Sequence, residues 1–278
     1  MSAEFLVTEP VSPAIAAGWD CHVHVFESGA PVRPGHYLPA HRPLAQIEAT
    51  AQAHGIGHLV LVQPSVYGSD NTVLLRALQA TPGRHRGVVV LDAATSDAEL
   101  DRLHAAGVRG ARFNLVSPAG HAGDVEADLL QLAPRLRARG WHVQWYVPAE
   151  QLPQLVRWHA QTGLCFVLDH LAGLHAHLPD DHPAWAAAQA LADAGAWLKF
   201  SGWYRLQATA PYAELQPAIR RAAALFGMRG VWGSDWPHTS FAPAQSPGYA
   251  STLEPARRCL AEPSFTALLQ TQPPSLYL

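Results

Sequence analysis

Cysteine is scarce in this chain. Cys21, Cys165 and Cys259 are the only three in 278 residues, widely spaced and without a CxxC pair. Such a set argues against a disulfide framework and against a thiolate zinc site, and makes the cytoplasm the expected compartment. Charge is sparse as well, at 15% of residues, with a net charge of -3 and no run of Lys or Arg. Nucleic acid and anionic membrane surfaces select for clustered cations, so neither is an expected partner. No apolar run approaches the roughly 18 residues needed to cross a bilayer. The opening MSAEFLVTEPVSP has neither the basic nor the apolar region of a secretory signal. Neither GxGxxG nor a P-loop occurs, which removes the usual reason to expect an open nucleotide-binding sheet.

Apolar residues, at 49%, are plentiful enough for a large core, and histidine is unusually common, at 16 residues. Short β-rich runs alternate with amphipathic stretches. The runs cover 19–26, 58–63, 87–92, 109–115, 141–147, 165–170, 197–202 and 230–235. They are apolar on both faces, as parallel strands buried on both sides should be. Helical patterns fill 44–55, 71–83, 97–107 and 128–140, and each ends on a glycine, at Gly55, Gly83, Gly107 and Gly140. Eight βα units at this length favour an α/β fold, a single closed (β/α)8 TIM barrel spanning 1–278, with long loops at 26–43 and 236–252.

Active sites of such barrels sit where the strands end. His22 and His24 close the first run, and their spacing puts both on one face of a strand, where they can bind a metal or polarise a carbonyl. Asp235 ends the last run, as a base for water or as a turn former. His170 follows VLD as a third imidazole or as a core histidine, while Asp169, one residue out of phase, should point away or support a neighbour. Arg112, Arg205 and Lys199 lie near strand ends. An anionic substrate and internal pairing to Asp169 or Asp235 explain them equally well. Gln63, Ser65, Tyr67, Asn114, Gln144, Tyr146, Ser201 and His238 complete the polar residues at this end. His142 should face the barrel floor. His36, His41, His54, His58, His85, His104, His121, His175, His177 and His182 are read as solvated or structural.

Taken in order, DCHVHVF, VQPSVYGSDN, GARFNL, VLDH, KFSGWYRL and GSDWPH resemble the amidohydrolase superfamily over residues 18–240. Within it they resemble the branch of 2-pyrone-4,6-dicarboxylate lactonase and related sugar-lactone hydrolases. DxHxH alone is a weak signal; the ordered set is specific. The resemblance implies a single distorted (β/α)8 TIM barrel, and a small-molecule lactone as substrate, opened by hydrolysis. It implies Asp235 as activator of water, His22, His24 and His170 as polarisers of the carbonyl, and Arg112, Ser65, Tyr146 and Arg205 as substrate contacts. Tyr37 in the first loop, Asn114 and His238 join them as further expected contacts. The branch has further arginines where this chain has Pro118 and Gly173, and Asn where it has His238. Fewer cations suit a monocarboxylate or a neutral sugar lactone as well as a dicarboxylate. The lactonase relative works without metal, so no cofactor is the favoured expectation. A single divalent ion such as Zn or Mn would use His22, His24 and Asp235, with His170 as a further donor. A metal-dependent amidohydrolase or decarboxylase, a lactone isomerase and a non-catalytic binding protein are the rival readings. Nothing in the sequence selects an oligomeric surface.

Overall fold

The computed structural model describes residues 15–33, 37–121 and 123–278; His36 lies outside them. Strands and helices alternate in order: β1 (Gly18–Val23), α1 (Leu44–Gln52), β2 (Ile56–Val62), α2 (Thr72–Ala80), β3 (Arg86–Val89), α3 (Asp97–Ala105), β4 (Val108–Asn114), α4 (Val125–Ala138), β5 (His142–Tyr146), α5 (Leu152–Thr162), β6 (Phe166–Leu168), α6 (Pro183–Asp193), β7 (Trp197–Phe200), α7 (Gln216–Phe226) and β8 (Gly230–Trp232). Three short helices follow, α8 (Glu254–Cys259), α9 (Glu262–Gln270) and α10 (Gln272–Tyr277), each with Pro in its first turn, where the missing N–H costs nothing. Two helix starts are capped by a side-chain oxygen. Ser96 accepts from Glu99 N–H at α3, and Asp124 accepts from Glu126 and Ala127 N–H at α4.

All seven ladders are parallel and the strands run in sequence order, β1 to β8. The eighth seam is closed by backbone just beyond β8. Asp235 N–H donates to His22 O at 2.9 Å, and His24 N–H donates to Trp236 O at 2.8 Å. The barrel therefore closes through the residues expected to carry chemistry, which ties their backbones together.

Side-chain alternation sets what faces in. Arg112, Phe113 and Asn114 pair in register with Gln144, Trp145 and Tyr146. Phe113 stacks on Trp145, and Trp145 on Trp158 of α5, so these rings face the helices. The residues of opposite parity, Arg112, Asn114, Gln144 and Tyr146, face the barrel interior. The register of β1 against β2 shifts between Asp20 and Val23. Cys21 joins an interior cluster with Trp19, Val60, Val62, Val88, Val231 and Tyr277, and above it His22 and His24 reach the mouth. Tyr277 of α10 stacks on Trp19 and meets His142 edge-on, plugging the floor as expected for His142.

Several runs end sooner than the sequence suggests. β6 stops at Leu168 and β8 at Trp232, so Asp169, His170 and Asp235 stand beyond the strands rather than at their last positions. His170 and Asp235 adopt φ of 49° and 60°, a left-handed conformation that no strand continues through.

Two buried histidines away from the mouth give the fold a pH signature. Burial lowers His142 to about 3, and burial, partly countered by Glu48, lowers His85 to about 4. Both stay neutral in the fold and take up a proton near pH 6.5 when unfolded. The unfolded chain then binds more protons, so stability falls as pH drops from about 6.5 to 4. Asp20 opposes this, because burial raises it to about 6, but each histidine moves at least as far. The expected result is a Tm lower by several degrees at pH 5 than at pH 7, read by thermal melts at constant ionic strength. An unchanged or higher Tm at pH 5 would show that these histidines are not held neutral.

Candidate active site

The side chains expected to carry chemistry converge on Asp235. Its Oδ2 accepts from Tyr204 OH at 2.6 Å and from Arg205 Nε at 2.7 Å. Its Oδ1 lies 3.6 Å from His22 Nε2 and 3.5 Å from His24 Nε2, and His170 Nε2 stands 4.0 Å from Oδ2. Among the described residues Oδ1 is buried without a hydrogen-bond partner, as is His22 Nε2. Burial alone would raise the Asp235 pKa, but Arg205, then His170, outweigh it and hold the carboxyl well below its usual range. Asp235 is therefore an ionised carboxylate with one oxygen clamped and the other open.

The imidazoles are oriented by what lies behind them. His24 Nδ1 sits 2.7 Å from Val62 O, a pure acceptor, so Nδ1 carries a proton and Nε2 is the nitrogen that faces Asp235. His22 Nδ1 faces Asp169 Oδ1 at 3.2 Å, a charge contact without hydrogen-bond alignment that favours the same tautomer. Burial keeps His22 well below the usual histidine range and lowers His170 to about 4, so both are neutral at pH 7. His170 Nδ1 meets Ser201 Oγ at 3.0 Å. Two glycines make room for these rings. A methyl on Gly202, at φ 60°, would lie 2.3 Å from His170 Nδ1, and one on Gly233 would lie 2.6 Å from His22 Cβ.

Asp169 does not point away. It is fully buried and forms the hub of a network across four strands. Arg112 Nε reaches its Oδ2 at 3.3 Å, Gln144 Nε2 donates to Oδ2 at 2.9 Å, and Lys199 Nζ lies 3.5 Å from Oδ1 and donates to Gln144 Oε1 at 2.6 Å. Burial opposes its charge, but His22, Lys199 and Arg112 outweigh burial and keep it well below the usual range. Of the two expectations for this residue, pointing away or supporting a neighbour, the second holds, because β6 ends one residue earlier and the chain turns there.

Above lies a cavity of about 470 Å³ lined by His24, Tyr37, Ser65, Arg112, Asn114, Tyr146 and Arg205 together with Pro64, Val116, Ser117, Pro118, Thr239 and Ser240. Of the four residues expected to be catalytic, His24 lines it; His22, His170 and Asp235 sit behind that wall. Asn114 Nδ2 donates to Ser65 Oγ at 2.7 Å, while its Oδ1 accepts from Val116 and Ser117 N–H and shapes the rim. Burial pushes the Tyr37 phenol up to about 12. Arg112 and Arg205 flank Tyr146, each 5.7 Å from its ring centre, and each uses its Nε on an internal carboxylate. Internal pairing and a place on the cavity wall thus coexist in both.

His238, expected as a substrate contact, does not line this cavity. It is buried, with Nε2 3.0 Å from Ser234 O and Nδ1 3.3 Å from Ser246 Oγ, and holds the loop after β8. Gln63 likewise turns to structure, donating to Gly68 O and Asp70 O. Two contributors went unread. Tyr204 sits beside the noticed Arg205 in KFSGWYRL, which was its one signal. Asp20 accepts from Ser234 N–H and Tyr249 OH and pins β1 to the segment after β8, across more than two hundred residues that no local pattern bridges.

The donor set fits a cation. His22, His170 and Asp235 each place one ligand atom within 4.8 Å of the others. His24, expected in that set, is outside the group, although its Nε2 also faces Oδ1. The unpaired Nε2 of His22 and the unpaired Oδ1 of Asp235, 3.6 Å apart, are two acceptors without a donor between them, which a divalent ion or an extra proton would satisfy.

A family model described as Amidohydrolase matches residues 19–264. The chain is 33% identical over 239 residues to a 2-pyrone-4,6-dicarbaxylate hydrolase from Comamonas testosteroni, covering 80% of this chain and 77% of that one. It is 30% identical over 242 residues to a D-galactarolactone isomerase from Agrobacterium fabrum, covering 82% and 80%. A Pseudomonas putida crystal structure, provisionally described as a 2-pyrone-4,6-dicarboxylic acid hydrolase, superposes with a TM-score of 0.83 at 34% identity, covering 94% of this chain and 97% of that one. The chain belongs to the amidohydrolase family.

Proposed function

We propose that this protein opens a small carboxylated lactone with water, using Asp235 as the base. The observation that carries this reading is the asymmetry of Asp235, clamped at Oδ2 and open at Oδ1 beside a histidine that lines the cavity. The relatives named above, a lactone hydrolase and a lactone isomerase, support the substrate class.

In this reading a substrate carboxylate meets the terminal nitrogens of Arg112 and Arg205, whose forks suit a planar anion. Ser65, Asn114 and the tyrosine hydroxyls hold its polar groups. Oδ1 of Asp235 takes a proton from water as the water oxygen bonds to the acyl carbon. The ring C–O bond then breaks, the proton passes to the leaving ring oxygen, and the product is a hydroxy acid. The histidines stabilise charge developing on the carbonyl oxygen. With the tautomers described, His22 and His24 can donate from Nε2 only when that nitrogen carries an added proton. A divalent ion held by His22, His170 and Asp235 would, when bound, polarise the carbonyl as a Lewis acid.

The test is acid release from a panel of pyrone dicarboxylate, muconolactones and aldonolactones by chelator-treated protein, repeated with Zn or Mn restored. Turnover by stripped protein supports a reaction run by side chains alone. Turnover that returns only with the ion supports the metal-assisted version. Failure on every lactone in both conditions would reject the reading. The isomerase relative favours one second reading, acyl migration between hydroxyls, in which the product is another lactone and no acid is released.

A further inference from the structure

Asp235 is held by two consecutive residues on the turn after β7, and the Arg205 contact alone would not fix the carboxylate. A single Arg Nε donor leaves the group free to rotate about its Cβ–Cγ bond. The Tyr204 hydroxyl, 2.6 Å from the same Oδ2, removes that freedom. Tyr204 is itself held on several sides. Arg205 lies over its ring at 4.8 Å, and Phe241 and His238 meet it edge-on at 4.9 and 5.9 Å. It does not line the cavity, so its reach is to the carboxylate and not to a substrate.

We propose that Tyr204 is a positioning residue for hydrolysis, its hydroxyl pinning Oδ2 so that Oδ1 is the oxygen presented to the reacting water. The inference rests on the lactone-hydrolase reading given above. The ring's packing on Arg205, Phe241 and His238 sets the direction of the O–H, and the O–H sets the rotamer of Asp235. A hydrogen bond to a charged group that is used in this way contributes most in the transition state, where the orientation of the base counts.

The experiment is Tyr204→Phe, which keeps the ring and removes one oxygen. Wild type and variant are compared on the best lactone of the panel, with Tm measured for both. The expected result is a kcat lower by about tenfold to a hundredfold with KM within about twofold. Adding Tyr204→Phe to Asp235→Asn should lower kcat little further, because both changes act on one group. An unchanged kcat in Tyr204→Phe would overturn the inference while leaving the lactonase reading intact. So would a rise in KM alone, which would make Tyr204 a substrate contact, or losses that multiply fully in the double variant. A wild type inactive on every lactone would remove the hydrolase reading, and the inference with it.

Discussion

Asp235→Asn is expected to lose about a hundredfold to ten-thousandfold in kcat while remaining folded, the usual contribution of a positioned base. The amide keeps the size and shape of the carboxyl and can still accept from Tyr204 or Arg205 through its oxygen. It cannot take a proton from water at neutral pH. The variant also leaves Arg205 without its carboxylate partner, so some loss of Tm should accompany the loss of rate. Steady-state kinetics with a thermal melt separates the two effects. Turnover at the wild-type rate in a folded variant would remove Asp235 from the chemistry.

Asp169→Asn should damage stability more than any surface change. Asp169 and Lys199 are both fully buried, and Arg112 is nearly so. Removing the negative charge leaves two buried cations without their counter-ion, a change that costs about 3–5 kcal/mol in comparable buried pairs. For a chain of this length the expected fall in Tm is roughly 6–10 °C. Activity should fall as well, since His22 Nδ1 loses the carboxylate that favours its tautomer. Asp169→Asn combined with Lys199→Met should recover part of the Tm without recovering the rate. A single variant with wild-type Tm would show that the network is not the electrostatic hub its geometry describes.

The barrel and most of its mouth were legible in the sequence because both follow from local rules. Short runs apolar on both faces, alternating with helical periodicity, leave few alternatives to parallel strands under a ring of helices. The polar residues that interrupt those runs near their ends had to face either the barrel interior or the helices, and Arg112, Asn114, Gln144 and Tyr146 face inward as their parity requires. Legibility ended where the backbone leaves the strand pattern. For Asp169 the sequence left two readings, pointing away or supporting a neighbour, and the second holds because β6 stops at Leu168 and His170 turns into the left-handed region. Asp235 stands on a similar turn, and its partner Tyr204 comes from another segment, so no spacing links them. The helices from Glu254 onward carried a usable signal, Pro at each first turn, in EPARRC, EPSFTALL and QPPSLY. For Arg112 and Arg205 the sequence offered an anionic substrate and internal pairing as alternatives; that both roles coexist depends on which nitrogen of each fork meets the internal carboxylate, which no pattern encodes.

The opening of a turned-over lactone in water enriched in the heavy oxygen isotope tests the central claim most directly. Mass spectrometry of the product is the readout. Attack of Asp235-activated water on the acyl carbon predicts a ring-opened hydroxy acid carrying one labelled oxygen in the new carboxylate, with the former ring oxygen unlabelled. An unlabelled isomeric lactone, or label on the hydroxyl carbon, would contradict the account by showing that water does not attack the carbonyl.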